Sequence, residues 1–332
     1  HGFVTNKHGG GYDKWLDAAT TPTIFNRLEE AGIPWKVYFD EMQLVSLTGI
    51  LHAPVLEKHW RTGRFGHMSE FFDDAKAGKL PAYAFIEPRL VYNHNDFHPP
   101  FGALRESDVD GSTVVDSAVS DVRAGEKLVA DVYDAIKASA TADGSNAMNT
   151  MLLITFDEHG GTYDHVPPPP ATPPVADDEP GEMGFAFDRL GVRVPAIAVS
   201  AYTRAGTIVH DEMHHAAVVA TLARLHGLRP LTRRDAEARD LFSIVNLDTP
   251  RDPATWPVVH PMYVPPNPAE DEVSDLEHGP HRHKPLSPPG RGLLGLLLAR
   301  YAAPGSAEPE TYAEAYDVLH KHGLGLFYPK MD

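Results

Sequence analysis

The chain has 332 residues, a formal net charge of −17, no cysteine, 42% hydrophobic and 23% charged residues. That is an ordinary globular composition, long enough for one large α/β core or a core with a small appendage. The acidic balance speaks against a nucleic-acid-binding face, which needs a basic stripe, and zero cysteines exclude a disulfide framework and thiolate chemistry. A small phosphorylated substrate stays open, because one local cation can reverse the field inside a pocket.

In chain order, Thr23 opens a helical pattern that runs to Glu30, with Gly32 as its stop. Residues 35–39 and 82–87 read as buried strands, being short, apolar or aromatic and without clean alternation. Residues 120–139 place Val122, Leu128, Val129, Val132 and Ile136 at helical spacing and feed a third strand at 151–156. Residues 166–182 are rich in proline and acid, which excludes helix and inner strand and leaves a surface loop. A fourth strand follows at 196–200 and an apolar helix at 215–225.

Residues 249–290 form a second proline-rich stretch, with His278, His281 and His283 near its end. The apolar patterns at 293–298 and 319–327 read as packing, and the run 292–299 falls short of the roughly 20 residues that span a bilayer. No transmembrane segment is therefore expected. Strand and helix alternate, the signature of a layered α/β fold. The division is residues 1–248 as an α/β domain, then 249–332 as a proline-rich stretch and helical tail packing on the same domain. With His1 in place of Met, the sequence reads as processed or truncated, and localisation is not legible in it.

The strongest chemical signal is Phe156-Asp157-Glu158-His159-Gly160-Gly161, where a hydrophobic strand ends in two carboxylates, an imidazole and two glycines. The carboxyl ends of strands form the ligand crevice of open α/β sheets. Two adjacent carboxylates there are costly without a positive partner, which a divalent cation supplies. Asp157 and Glu158 are thus candidate metal ligands, the two glycines permitting the immediate turn that lets both face one ion. The bland alternative is an acidic loop end with a helix-capping Asp.

A second cluster, His94-Asn95-Asp96-Phe97-His98-Pro99-Pro100, follows the strand that ends in Glu87-Pro88-Arg89. Counted from Tyr92-Asn93, it supplies either a ligand or acid–base cluster of two histidines (His94, His98), Asp96 and two asparagines (Asn93, Asn95), with Glu87 nearby, or a solvated loop stiffened by the two prolines. Met213-His214-His215 just before the apolar helix either brings His215 into a site or caps the helix. His165, close behind the carboxylate pair, suits a supporting hydrogen bond. No nucleophile elbow and no glycine-rich phosphate loop is present.

Together with Thr23-Ile24-Phe25, Trp35 to Glu41, Phe85 to Arg89, Asp121 to Glu126, Tyr163-Asp164-His165-Val166-Pro167 and Phe187 to Pro195, these motifs give the chain a family likeness over roughly residues 1–245. The chain resembles the bacterial phosphoesterases that include phosphatidylcholine-type phospholipase C and the respiratory-burst-inhibiting acid phosphatases, relatives of the alkaline phosphatase superfamily. The resemblance implies a three-layer α/β/α sandwich with a mostly parallel sheet. It also implies hydrolysis of phosphate esters through a phosphoryl-enzyme, with a small-molecule or lipid phosphoester as substrate, and a secreted or periplasmic setting.

The family's adjacent metal ligands fall on Asp157 and Glu158 and its His-Pro-Pro histidine on His98; His159 and His165 would assist. One divalent ion is implied, with calcium, magnesium, zinc and manganese all compatible with carboxylate–imidazole donors. Three departures stand out. The family's Glu-Asn ligand pair and its Ser or Thr nucleophile lie upstream of the point where this sequence begins. Ala216-Ala217 follow His215 where relatives carry hydroxyl residues, and Ala201 stands where they often have proline. The competing readings are a sulfatase-like or phosphonate-cleaving relative and a non-catalytic metal- or ligand-binding remnant.

Overall fold

The structure is a computed structural model and describes residues 12, 16, 21–91, 94–98, 106–109, 112–115, 122–174, 180–261 and 280–328. Helix α1 (Ile24–Glu30) starts at Thr23, whose hydroxyl accepts the Asn26 amide while the Asn26 side chain answers the Thr23 amide. This reciprocal cap satisfies donors that the first turn leaves orphaned. Gly32 follows at φ +68° and turns the chain into β1 (Trp35–Phe39). β1 is the centre of a parallel sheet, flanked by β2 (Phe65–His67) and β3 (Tyr83–Ile86).

Between these strands lie α2 (Leu47–Leu51), α3 (Ala53–Leu56) and α4 (Met68–Ala77). The pleat sends alternate residues of β1 to opposite faces. Trp35, Val37 and Phe39 enter the main core with Ile24, Phe25 and Leu28 of α1. Tyr38 enters a second core with Met68 and Phe71 of α4. Beyond β3 come an antiparallel hairpin, β4 (Glu106–Val109) with β5 (Ser112–Val115), and the long helix α5 (Val122–Ala138).

The last two strands are β6 (Met151–Thr155) and β7 (Ala196–Ser200), followed by α6 (Ala216–His226) and α7 (Arg233–Glu237). β6 lies between helices. Leu152 packs toward Val132 and Ile136 of α5, while Met151 and Leu153 pack against Ala217 and Val218 of α6. The layering is therefore helix, strand, helix, and the fold is of the α/β class. Near the C-terminus, α8 (Pro288–Tyr301) and α9 (Tyr312–Val318) insert Leu293, Leu294, Leu297, Tyr312 and Tyr316 into the main core beside β1.

All four expected strands form, within a residue of the expected ends. β1, β2 and β3 pair parallel, in keeping with a mostly parallel sheet, while the last two strands pair with each other. β6 and β7 run antiparallel, Thr155 facing Ala196 and Met151 facing Ser200. Parallel neighbours need a crossover, usually a helix. Residues 156–195 hold no α-helix among those described, so the chain returns beside itself. Nor are these two strands fully covered: Ile197 is 57% exposed, whereas Val37, Tyr38 and Phe39 have no accessible surface. Among the described residues no strand pairs with the outer edge of β3 or of β6.

Candidate active site

β6 delivers Phe156 and then Asp157, Glu158 and His159 into a tight turn. Gly160 and Gly161 both have positive φ, 63° and 75°, and nothing lies within 4 Å of where their Cβ atoms would be. Glycine is required here for backbone conformation and not for space. The turn is closed by the Thr162 amide and hydroxyl, which donate to the His159 carbonyl at 3.1 and 2.6 Å. The Gly160 amide donates to Glu158 Oε2 at 2.8 Å. Both carboxylates of the pair are exposed, and that of Asp157 has no hydrogen bond or ion pair among the described residues. His159 Nδ1 is buried without a partner.

The second cluster sits against this strand end. The Phe97 ring meets the Phe156 ring edge-on with centroids 5.3 Å apart, which makes His98 and Asp157 sequence neighbours of two touching residues. The loop can approach because residue 125 on α5 is glycine; a Cβ there would stand 2.8 Å from the Phe97 ring and 3.0 Å from the Asp96 carbonyl oxygen. The Arg89 amide donates to Asn95 Oδ1 at 2.6 Å and the Asn95 amide returns a bond to the Arg89 carbonyl at 3.1 Å. Asn95 thus holds the loop closed with its side chain engaged.

Asp96 gathers its neighbours on one oxygen. Oδ1 lies 2.7 Å from His94 Nδ1, accepts the His98 amide at 2.9 Å, and stands 3.3 Å from His98 Nδ1. His94 is wholly buried and the His98 side chain is 38% exposed. Tyr92, Asn93, Pro99 and Pro100 of this motif lie outside the described residues.

The start of α6 joins the same place, since His215 Nε2 lies 2.6 Å from the Phe156 carbonyl oxygen. A carbonyl only accepts, so that nitrogen carries the proton. His214 beside it is half-buried, and burial, with Arg234 and His215 nearby, pushes its imidazole below the ordinary histidine range.

Two candidates stand elsewhere. Glu87 is 4% exposed and accepts the Ser46 hydroxyl at 2.7 Å, the Thr48 amide at 3.3 Å and the Leu47 amide. Burial pushes its carboxyl up against those bonds, and the side chain acts as a cap for the start of α2. His165 is 82% exposed, 3.6 Å from Asp164. Asp164 itself is gripped by Arg193 through two bonds of 2.6 and 2.8 Å, which holds its carboxyl well below the usual range. Arg193 therefore ties the strand-end loop to the segment leading into β7, a partnership across 29 residues that spacing alone does not reveal.

Hard carboxylate oxygens at a strand end suit a divalent cation. Asp157 and Glu158 are the pair that offers them here. Among the described residues, no group of three or more His, Asp and Glu side chains converges to complete such a site. Sequence reading placed His94 in a candidate ligand or acid–base cluster but did not show its burial behind Asp96. The signal for their pairing was the alternate spacing His94, Asp96, His98, which in an extended loop places all three on one side.

A family model described as "Phosphoesterase family" matches residues 4–229. Among curated proteins, Non-specific phospholipase C6 of Arabidopsis thaliana is 35% identical over 259 residues, 72% of this chain and 44% of that protein. Non-specific phospholipase C3 of the same plant is 33% identical over 254 residues, 71% of this chain and 43% of that one. Phospholipase C B of Mycobacterium tuberculosis (strain ATCC 25618 / H37Rv) is 27% identical over 263 residues, 70% of this chain and 45% of its own length. The chain thus spans less than half the length of the curated relatives it matches. With the family model covering more than half of its residues, motif turn and strand end included, this chain belongs to the Phosphoesterase family.

Proposed function

We propose that this chain carries the hydrolytic centre of a phosphate-ester hydrolase acting on phospholipid-type esters. The observation that carries the reading is the meeting of two motif loops through Phe97 and Phe156, with His98 on one and the exposed carboxylates Asp157 and Glu158 on the other. The relatives named phospholipase C support a lipid phosphodiester as substrate.

Asp157 and Glu158 are the residues that would hold a divalent cation. When bound, such an ion stabilises charge on the phosphoryl oxygens. The chain's own residues do the rest. His98 turns one ring nitrogen toward Asp96 and leaves Nε2 for the leaving group. As the phosphorus–oxygen bond breaks, its electron pair goes to the alcohol oxygen, which takes the proton from Nε2. A hydroxyl or water oxygen forms the new bond to phosphorus and releases its proton to solvent; with a hydroxyl, the product is a phosphoryl-enzyme, and the water that hydrolyses it returns a proton to His98 Nε2. His215 holds the strand end through the Phe156 carbonyl, while His159 lies in the turn and His165 at its mouth.

The test is turnover of 4-nitrophenyl phosphate, a nitrophenyl phosphodiester, phosphatidylcholine in mixed micelles and an aryl sulfate, with calcium, magnesium, manganese or zinc and with chelator. Phosphate esters should be cleaved, chelator should stop the reaction, and alcohol release should run ahead of phosphate in a burst if a phosphoryl-enzyme forms. A chain that cleaves the sulfate but no phosphate ester, or binds esters without cleaving any, overturns the reading.

A further inference from the structure

We propose that Asp96 is a positioning residue for His98, and that the buried His94 fixes Asp96 in that role. This rests on the reading of His98 as the proton donor to the leaving oxygen. The geometry that assigns it is the single carboxylate oxygen Oδ1, which faces His94 Nδ1 at 2.7 Å, the His98 amide at 2.9 Å and His98 Nδ1 at 3.3 Å.

A carboxylate accepts and does not donate, so His94 presents a protonated Nδ1 to it at 2.7 Å, while His98 Nδ1 faces the same oxygen at 3.3 Å. For His98 this fixes one ring orientation, and in its proton-donating form the ring is an imidazolium with Nδ1–H toward Asp96 and Nε2–H outward. Nδ1 is held by Asp96, and Nε2 points away on a side chain that is 38% exposed. His94 cannot meet substrate, because it has no accessible surface. Its bond instead stops the Asp96 carboxylate from rotating, and the His98 amide bond sets the short turn that brings the His98 ring back over the acceptor.

The loop is rigid enough for the role. Asn95 is bonded to Arg89 in both directions, and Phe97 is wedged between Gly125 and Phe156. Two further atoms separate this arrangement from a simple loop brace. Asp96 Oδ2 and His94 Nε2 are buried without a hydrogen-bond partner among the described residues. Buried polar atoms are nearly always paired, so two left unpaired in one loop are not what a brace built for stability alone would show.

The deciding measurement is the dependence on leaving group in the full chain. An acidic phenol departs without a proton, whereas an alkyl alcohol needs one. In Asp96→Asn, turnover of an alkyl phosphate ester should fall roughly 100-fold or more while that of the 4-nitrophenyl ester falls less than about 10-fold, with KM nearly constant. His94→Asn, which keeps a donor where Nδ1 stands, should retain most alkyl-ester turnover, and His94→Ala should behave like Asp96→Asn.

Long-range nitrogen–proton NMR of the imidazoles reads the same question without turnover. His98 should be protonated on Nδ1 in the wild type and lose that preference in Asp96→Asn. Equal loss on both esters, or a wild-type His98 protonated on Nε2 alone, overturns the proposal. If the wild-type chain cleaves neither ester, the hydrolase reading fails and the NMR result still decides the positioning. If Asp96→Asn does not fold, the two His94 variants and the wild-type spectrum decide it.

Discussion

The β1–β3 sheet and the β6–β7 ribbon are built from similar sequence and end up in different states. β1 sits between two strands and two cores, with Val37, Tyr38 and Phe39 wholly buried and the C-terminal helices laid over one face. Among the described residues the ribbon has one partner per strand, with an exposed Ile197 and the candidate site at its end. Stability is concentrated in the first half, and polar chemistry is held out on the second. Exposed carboxylates and half-open imidazoles are compatible with folding because the burial that holds the chain together lies elsewhere.

Mutations that break this contrast are expected in the following order. Phe39→Ala removes a fully buried aromatic from the main core and should cost ~3–5 kcal/mol in urea unfolding, against less than ~0.5 kcal/mol for Ile197→Ala on the ribbon. Equal costs would abolish the distinction. Asp157→Asn should reverse that pattern: unfolding stays within ~0.5 kcal/mol of wild type because the side chain is exposed. Ester turnover should drop at least ~100-fold, and calcium or manganese should no longer raise the melting temperature. Glu87→Ala should cost ~2–3 kcal/mol by stranding the Leu47 and Thr48 amides and the Ser46 hydroxyl, with activity per folded molecule unchanged.

The smallest effect concerns acid. Glu70 feels desolvation that raises its pKa, but bonds from Lys36, Tyr328 and the His67 amide outweigh it and hold the carboxyl below its ordinary range. A depressed folded pKa stabilises above the unfolded value of about 4.3 and is lost as pH falls through the folded value. Glu70→Gln should therefore flatten the acid limb of the stability curve. The change at neutral pH should stay under ~1 kcal/mol, because the side chain is 42% exposed. An acid limb unchanged in the variant would place the sensitivity elsewhere.

The sequence by itself determined the elements: the Thr23 cap, the four apolar strands, the long amphipathic helix, and the Gly160-Gly161 turn, whose positive φ angles glycine adopts without steric cost. These depend on local sterics and periodicity, which a linear chain carries in full. The antiparallel pairing of β7 with β6 was decided by the tertiary structure. Tertiary structure alone decided what each polar group does. It turned Glu87 into a buried helix cap, set Arg193 on Asp164, brought His215 to the Phe156 carbonyl, and buried His94 behind Asp96. Those partners are separated by 41, 29, 59 and 2 residues, and three of the four pairings depend on how whole elements pack. The fourth is near in sequence, yet it needed Gly125 on a distant helix to let the loop close in.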